Sequence, residues 1–183
     1  MKKILWHHKR SQSMQQREPA RYAGRSYSKR ECEKCFQKIV DRALGEAGVR
    51  GCLLILDVDR MQEINERFGV ETGDRILQGV AAMLQENFRS CDGIGRLEED
   101  EFGLWIEGLS AEHVSGIRKR IAHLNDRLMH MEENLPVVTL SAGAALGEAG
   151  EDFTCLYRRA REVLCRVKER GRCGCEIYEK RVF

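Results

Sequence analysis

Apolar positions along the chain recur with two different periods. Cys35, Ile39 and Ala43 lie four residues apart behind Ser28, which predicts a helix capped by Ser28 and running towards Ala43. From Cys52 to Val58 the run is apolar on both faces and ends in Asp57-Val58-Asp59, the pattern of a buried central strand. Gly73-Asp74 opens a second long helix, with Leu77, Val80, Leu84 and Phe88 on one face. Gly93 to Leu97 and Phe102 to Glu107 predict two short strands around a tight acidic turn, Glu98-Glu99-Asp100-Glu101. After Ser110 comes a third helix, whose apolar positions Val114, Ile117, Ile121, Leu124, Leu128 and Met131 alternate at helical spacing. Pro136 to Leu146 is expected as a strand, Phe153 to Val167 as a last helix stopped by Gly171, and Cys175 to Tyr178 as a short closing strand. Strands interleaved with helices in this order predict a layered α/β sandwich around one central sheet.

Composition narrows the function classes. The 183 residues suit one domain with a short extension, and 42% hydrophobic residues suffice for an ordinary core. Lys and Arg number 31 against 29 Asp and Glu, a net +2 that gives no basis for whole-surface nucleic-acid binding. No apolar run approaches the roughly 18 residues of a membrane span, and Met1 to Gln16 lacks the apolar core of a signal peptide. The expected compartment is the cytoplasm, with no membrane partner. Residues 1–25 are polar and basic and are expected as a flexible lead-in, with the domain occupying 26–183.

Eight cysteines is a high count for a chain expected to keep them reduced. Cys52 lies in the apolar run and Cys165 follows Leu164 in a helical pattern, so both are expected as small core hydrophobes. Cys32, Cys35, Cys173 and Cys175 have the makings of a four-thiolate zinc site. The alternative is that Cys32 and Cys35 share a helix face while the second pair lies in a tail, and nothing in the sequence brings the pairs together.

Four ordered blocks carry a resemblance. Leu53 to Asp74 reads LLILDVDRMQEINERFGVETGD, which resembles the D-x-D-x-F-K-x-x-N-D-x-x-G-H-x-x-G-D signature of GGDEF domains. Arg96 to Phe102 sits where R-x-G-G-D-E-F belongs, Val138 to Gly143 resembles the strand before the family's last helix, and Leu164 to Arg172 resembles its L-Y-x-A-K-x-x-G-R ending. The resemblance implies a nucleotidyl-cyclase-like sandwich: a central, mostly antiparallel sheet of about five strands flanked by helices, with a β-hairpin carrying the motif. A working member binds one GTP per domain, pairs head to head as a homodimer, and joins two GTP into cyclic di-GMP with two magnesium ions.

By the same resemblance, Asp57 and Asp100 match the family's metal carboxylates, suited to Mg2+ because that ion takes oxygen ligands. Glu101 matches the adjacent catalytic acid. The alternative is an acidic strand end beside a solvated turn. Asn65 and Asp74 match the guanine-reading pair, an amide and a carboxylate facing guanine's acceptor edge and N–H donors. Asp74 also reads as a helix N-cap. Lys168 and Arg172 match the triphosphate-binding pair, though basic residues at a helix end also complement its dipole. Arg89 and Asp92 form an R-x-x-D placed, relative to the turn, where the family carries its inhibitory product site. Such a pair also occurs as a local salt bridge on a loop.

Departures from the pattern gather around one site. Glu98 and Glu99 replace the two motif glycines, positions where glycine allows a left-handed backbone and close approach to a nucleotide. They add bulk and negative charge opposite a triphosphate. Met61 stands for the usual Phe, Gln62 for a Lys and Val70 for a His, and Gly24 to Arg30 (GRSYSKR) lacks the Asp and Asn of the family's opening block. The expectation is a degenerate, catalytically impaired domain that binds cyclic di-GMP or GTP and regulates a protein partner. The alternatives are an active diguanylate cyclase and a ligand-free dimerisation scaffold.

Overall fold

The computed structural model describes residues 29–46, 50–89, 92–109, 113–131 and 134–179. At its centre β1 (Gly51–Val58) is buried along its whole length, as its unbroken apolar run requires. Strand β3 (Glu101–Glu107) and strand β4 (Leu140–Gly147) flank it, both antiparallel to it. Beyond them, β2 (Gly93–Arg96) pairs antiparallel with β3, and β5 (Gly174–Ile177) pairs parallel with β4, giving the order β2-β3-β1-β4-β5.

The period-two alternation of β1 separates two cores. Leu54 and Leu56 face α3 (Val70–Asn87) and α4 (Ser115–Met129), packing with Ile76, Val80, Leu84, Ile117 and Ile121. Leu53 and Ile55 face α1 (Lys29–Gly45) and α5 (Phe153–Glu169), packing with Phe36, Leu44, Leu156 and Leu164. The sandwich, the mostly antiparallel five-stranded sheet and the hairpin formed by β2 and β3 are as the sequence predicts.

Two boundaries and the environment of one cysteine differ. The second helix opens earlier and in two pieces: α2 (Met61–Phe68) ends at Gly69, whose φ of 85° no helix can continue, and α3 starts at Val70. Asp74 therefore lies inside α3 and does not cap it. The predicted strand from Pro136 joins the sheet only at Leu140, where the Asn125 side chain braces its first residue. It accepts from Leu140 N at 2.7 Å and donates to Leu140 O at 3.0 Å. Cys165 is exposed: one residue past Leu164 on a helix turns it about 100° away from the core. Ser28, Ser110 and the lead-in 1–25 lie outside the described residues.

Candidate functional site

The acidic end of β1 meets the β2–β3 turn and the end of α5. Asp57 sits opposite Glu101 on β3 and Ser141 on β4, so the three share one sheet face. Lys168, in the last turn of α5, brings Nζ to 2.7 Å from Asp57 Oδ2. Burial pushes the Asp57 carboxyl above its usual range; Lys168 opposes this, while Asp100 and Asp59 add to it.

Asp59 is buried and well supplied with donors. Thr139 Oγ1 and Ser141 Oγ donate to it at 2.6 and 2.7 Å and Cys173 N at 3.2 Å, with Arg172 Nε 4.0 Å away. It fastens β1 to β4 and to the loop after α5. Sequence reasoning passed over this role. The signal was two hydroxyls, Thr139 and Ser141, at alternate positions of a segment running beside an acid.

The turn closes through Glu101 O, which accepts from Leu97 N at 2.8 Å and Glu98 N at 3.2 Å. Asp100 O accepts from Val58 N at 3.0 Å, and Arg96 donates to Glu99 O at 2.5 Å. Among the described non-glycine residues, left-handed φ occurs at Arg60, Arg172 and Cys173 and not at Glu98 or Glu99. The two glutamates thus sit in ordinary backbone, and the expectation that these positions need glycine's φ is not met here; their bulk and charge remain.

Glu101 is 2% exposed and turned onto α5. Tyr157 Oη donates to it at 2.8 Å and Arg161 at 2.6 Å. Burial raises its pKa against the pull of these two partners, and burial together with Glu101 pushes the Tyr157 hydroxyl up to about 12.

On the other face, α2 and α3 fold against each other at Gly69 and bring Asn65 and Asp74 to one cleft of about 720 Å³, closed by Met61, Arg96, Glu99 and Asp100. Asn65 Oδ1 is buried there without a hydrogen-bond partner, against Gly73, where a Cβ would collide with it. Arg172 lies apart, in a neighbouring cleft of about 350 Å³ with Arg60, Thr139 and Gly171. The structure therefore joins Asn65, Asp74 and Asp100 in one cavity, pairs Asp57 with Lys168, and directs Glu101 elsewhere.

The family whose description reads "Diguanylate cyclase, GGDEF domain" matches residues 26–173. The chain belongs to the GGDEF family. The domain is 33% identical over 131 residues to the diguanylate cyclase DosC of Escherichia coli (strain K12), a match covering 69% of this chain and 28% of that protein. Among solved structures, it resembles the GGDEF domain of DgcB from Caulobacter crescentus in complex with c-di-GMP, with a TM-score of 0.72 and 25% identity over 81% of this chain and 91% of that one. It also resembles the active GGEEF domain of a diguanylate cyclase from Vibrio cholerae, with a TM-score of 0.68 and 26% identity over 82% and 96% of the two chains.

The R-x-x-D of this GGDEF domain has a local bond of its own. Asp92 is 3% exposed, and its Oδ2 accepts the Arg89 backbone N–H at 2.9 Å, while Asp92 N donates to Arg89 O at 3.0 Å. Burial raises the carboxyl, and the Arg89 backbone and charge oppose it. The Arg89 side chain is exposed, and Ser90 and Cys91 lie outside the described residues.

Among the described residues, no set of cysteines forms a four-thiolate site. Cys35 is half-buried on α1, and Cys175 packs against the core that holds Leu54 and Leu56; Cys173 is exposed, and the Cys32 side chain lies outside the described residues. Among the described residues, no three His, Cys, Asp or Glu side chains gather to hold a metal ion. No helix among them is long and apolar enough to cross a membrane.

Proposed function

We propose that this domain is a guanine-nucleotide-binding regulatory module of cyclic di-GMP signalling, impaired in catalysis. The observation that carries the reading is the cleft that brings Asn65 and Asp74 together. An amide beside a carboxylate suits guanine, which offers an acceptor edge and adjacent N–H donors. The impairment rests on charge. Glu99 adds negative charge to the cleft beyond that of Asp100, which a metal would offset; Arg96 brings a cation there, and Gln62, at its rim, brings none to a triphosphate. Glu101, held by Tyr157 and Arg161, has its lone pairs engaged away from the cleft.

Magnesium fits the donors present. Asp57 and Asp100 are hard oxygen ligands, and the charge of Asp100 reaches the Asp57 carboxyl. A metal bound between them would supply neutralisation of phosphate charge. The whole protein's partner is then a regulatory protein or a second copy of the domain, in the cytoplasm, where its thiols stay reduced.

One observation favours the active-cyclase alternative: the turn takes Glu98 and Glu99 without left-handed strain. Incubation of the purified chain with GTP and magnesium, with chromatographic assay for cyclic di-GMP, separates the two readings. Nucleotide binding without product supports the module; product supports the cyclase.

A further inference from the structure

The ion pair between Lys168 and Asp57 has a consequence for the order in which ligands assemble. Its Nζ–Oδ2 distance is 2.7 Å, and it joins the residue matched to triphosphate binding to the residue matched to metal binding. The two roles exclude each other geometrically. A divalent cation on Asp57 would sit within a few ångströms of the ammonium, and like charges at that range repel strongly in a partly desolvated site. Asp59 offers no substitute, since two hydroxyls and a backbone N–H already engage its carboxylate.

Resting on the nucleotide-binding reading above, we propose that the Lys168–Asp57 pair is an internal stand-in for the metal, which couples metal binding to triphosphate binding. Without nucleotide, the ammonium neutralises Asp57 and holds metal affinity down. A triphosphate carries several negative charges against the single one on Asp57, so it draws the ammonium across. Lys168 has the means to move: its side chain is 35% exposed, on a flexible four-carbon stem. Asp57 would then be free to hold a metal ion together with Asp100, and the ion would supply neutralisation of phosphate charge. Magnesium is commonly held in this manner, by one or two carboxylates plus substrate. Coupling is reciprocal, so metal must also strengthen triphosphate binding.

The test uses the full chain and Mn2+ as the metal probe, followed by electron paramagnetic resonance, with calorimetry for GTP in chelator. Lys168→Met should raise affinity for Mn2+ alone about tenfold, the scale of one lost charge-assisted bond. The same substitution should weaken metal-free GTP binding by about the same factor. The gain in Mn2+ affinity should vanish in the Lys168→Met, Asp57→Asn double variant, and Lys168→Arg, which keeps a cation there, should bind Mn2+ as weakly as wild type. Equal Mn2+ affinity in wild type and Lys168→Met, with GTP binding intact, would overturn the coupling alone. Failure of GTP to bind either protein would overturn the coupling, and failure of cyclic di-GMP to bind as well would overturn the nucleotide-binding reading with it.

Discussion

Substitution of Arg161 probes how the motif's buried acid is held. Glu101 is 2% exposed and accepts from Tyr157 and Arg161. A charge-assisted hydrogen bond contributes about 1.5–3 kcal/mol, and stripping one partner from a fully buried pair costs about 3–5 kcal/mol. Arg161 is 42% exposed, so water can reach the carboxylate once the guanidinium is gone, and the lower range applies. Arg161→Ala should therefore lose about 2 kcal/mol at pH 7, or about 4–8 °C in Tm for a chain of this size. Glu101→Gln should cost under about 1 kcal/mol, because it removes the desolvation of a charge along with the ion pair, keeps an oxygen to accept from Arg161, and offers an N–H to the Tyr157 hydroxyl, which can turn to accept it. The sign of the pH dependence follows. The folded-state pKa of Glu101 is raised, so its contribution to stability is fully present below the usual glutamate pKa and is lost as pH rises through the raised value. The Arg161→Ala penalty should shrink as pH falls into that window, where a neutral carboxyl no longer needs the cation. Thermal unfolding followed by circular dichroism at pH 7 and pH 5 measures both. Equal losses for Arg161→Ala and Glu101→Gln, or a penalty that grows on acidification, would refute the reasoning.

Other expectations follow from the same geometry. The unmodified chain should form no cyclic di-GMP from GTP by chromatography, and Glu99→Gly should strengthen nucleotide binding without restoring turnover, since Arg96 bonds the backbone oxygen there and keeps the turn. Asp92→Ala should destabilise the fold by about 1–3 kcal/mol in denaturant titration, because it leaves a loop N–H unpaired. Arg89→Ala should leave stability within about 0.5 kcal/mol, as expected of an exposed side chain, while weakening cyclic di-GMP binding in calorimetry.

Much of the fold was legible because its decisive signals are local. The run from Cys52 to Val58 admits little besides a central strand, and the spacing of Phe153, Leu156, Ala160 and Leu164 fixes which face of α5 meets the sheet. The break at Gly69 was harder to see, since a helical pattern on both sides hides one residue of positive φ. Cys165 is exposed although Leu164 beside it is buried, because a helix turns adjacent residues to different environments. At the site, Asn65, Asp74 and Asp100 are singled out by the family resemblance, and one cleft brings the three together. The partners of Glu101 and of Asp59 were not legible, because Tyr157, Arg161, Thr139 and Ser141 reach them from distant segments, and such pairs are set by tertiary packing. Nor did spacing reveal the φ values of the turn, on which the argument against Glu98 and Glu99 partly depended.

The most direct test of the central claim is a calorimetric titration of the purified chain with GTP and with cyclic di-GMP, with and without magnesium, alongside Asn65→Ala. The account predicts saturable heat with a guanine nucleotide, no comparable heat with ATP, and an affinity about tenfold lower in Asn65→Ala, the loss of one or two hydrogen bonds. No heat with either guanine nucleotide, or binding that ignores the loss of Asn65, would contradict it.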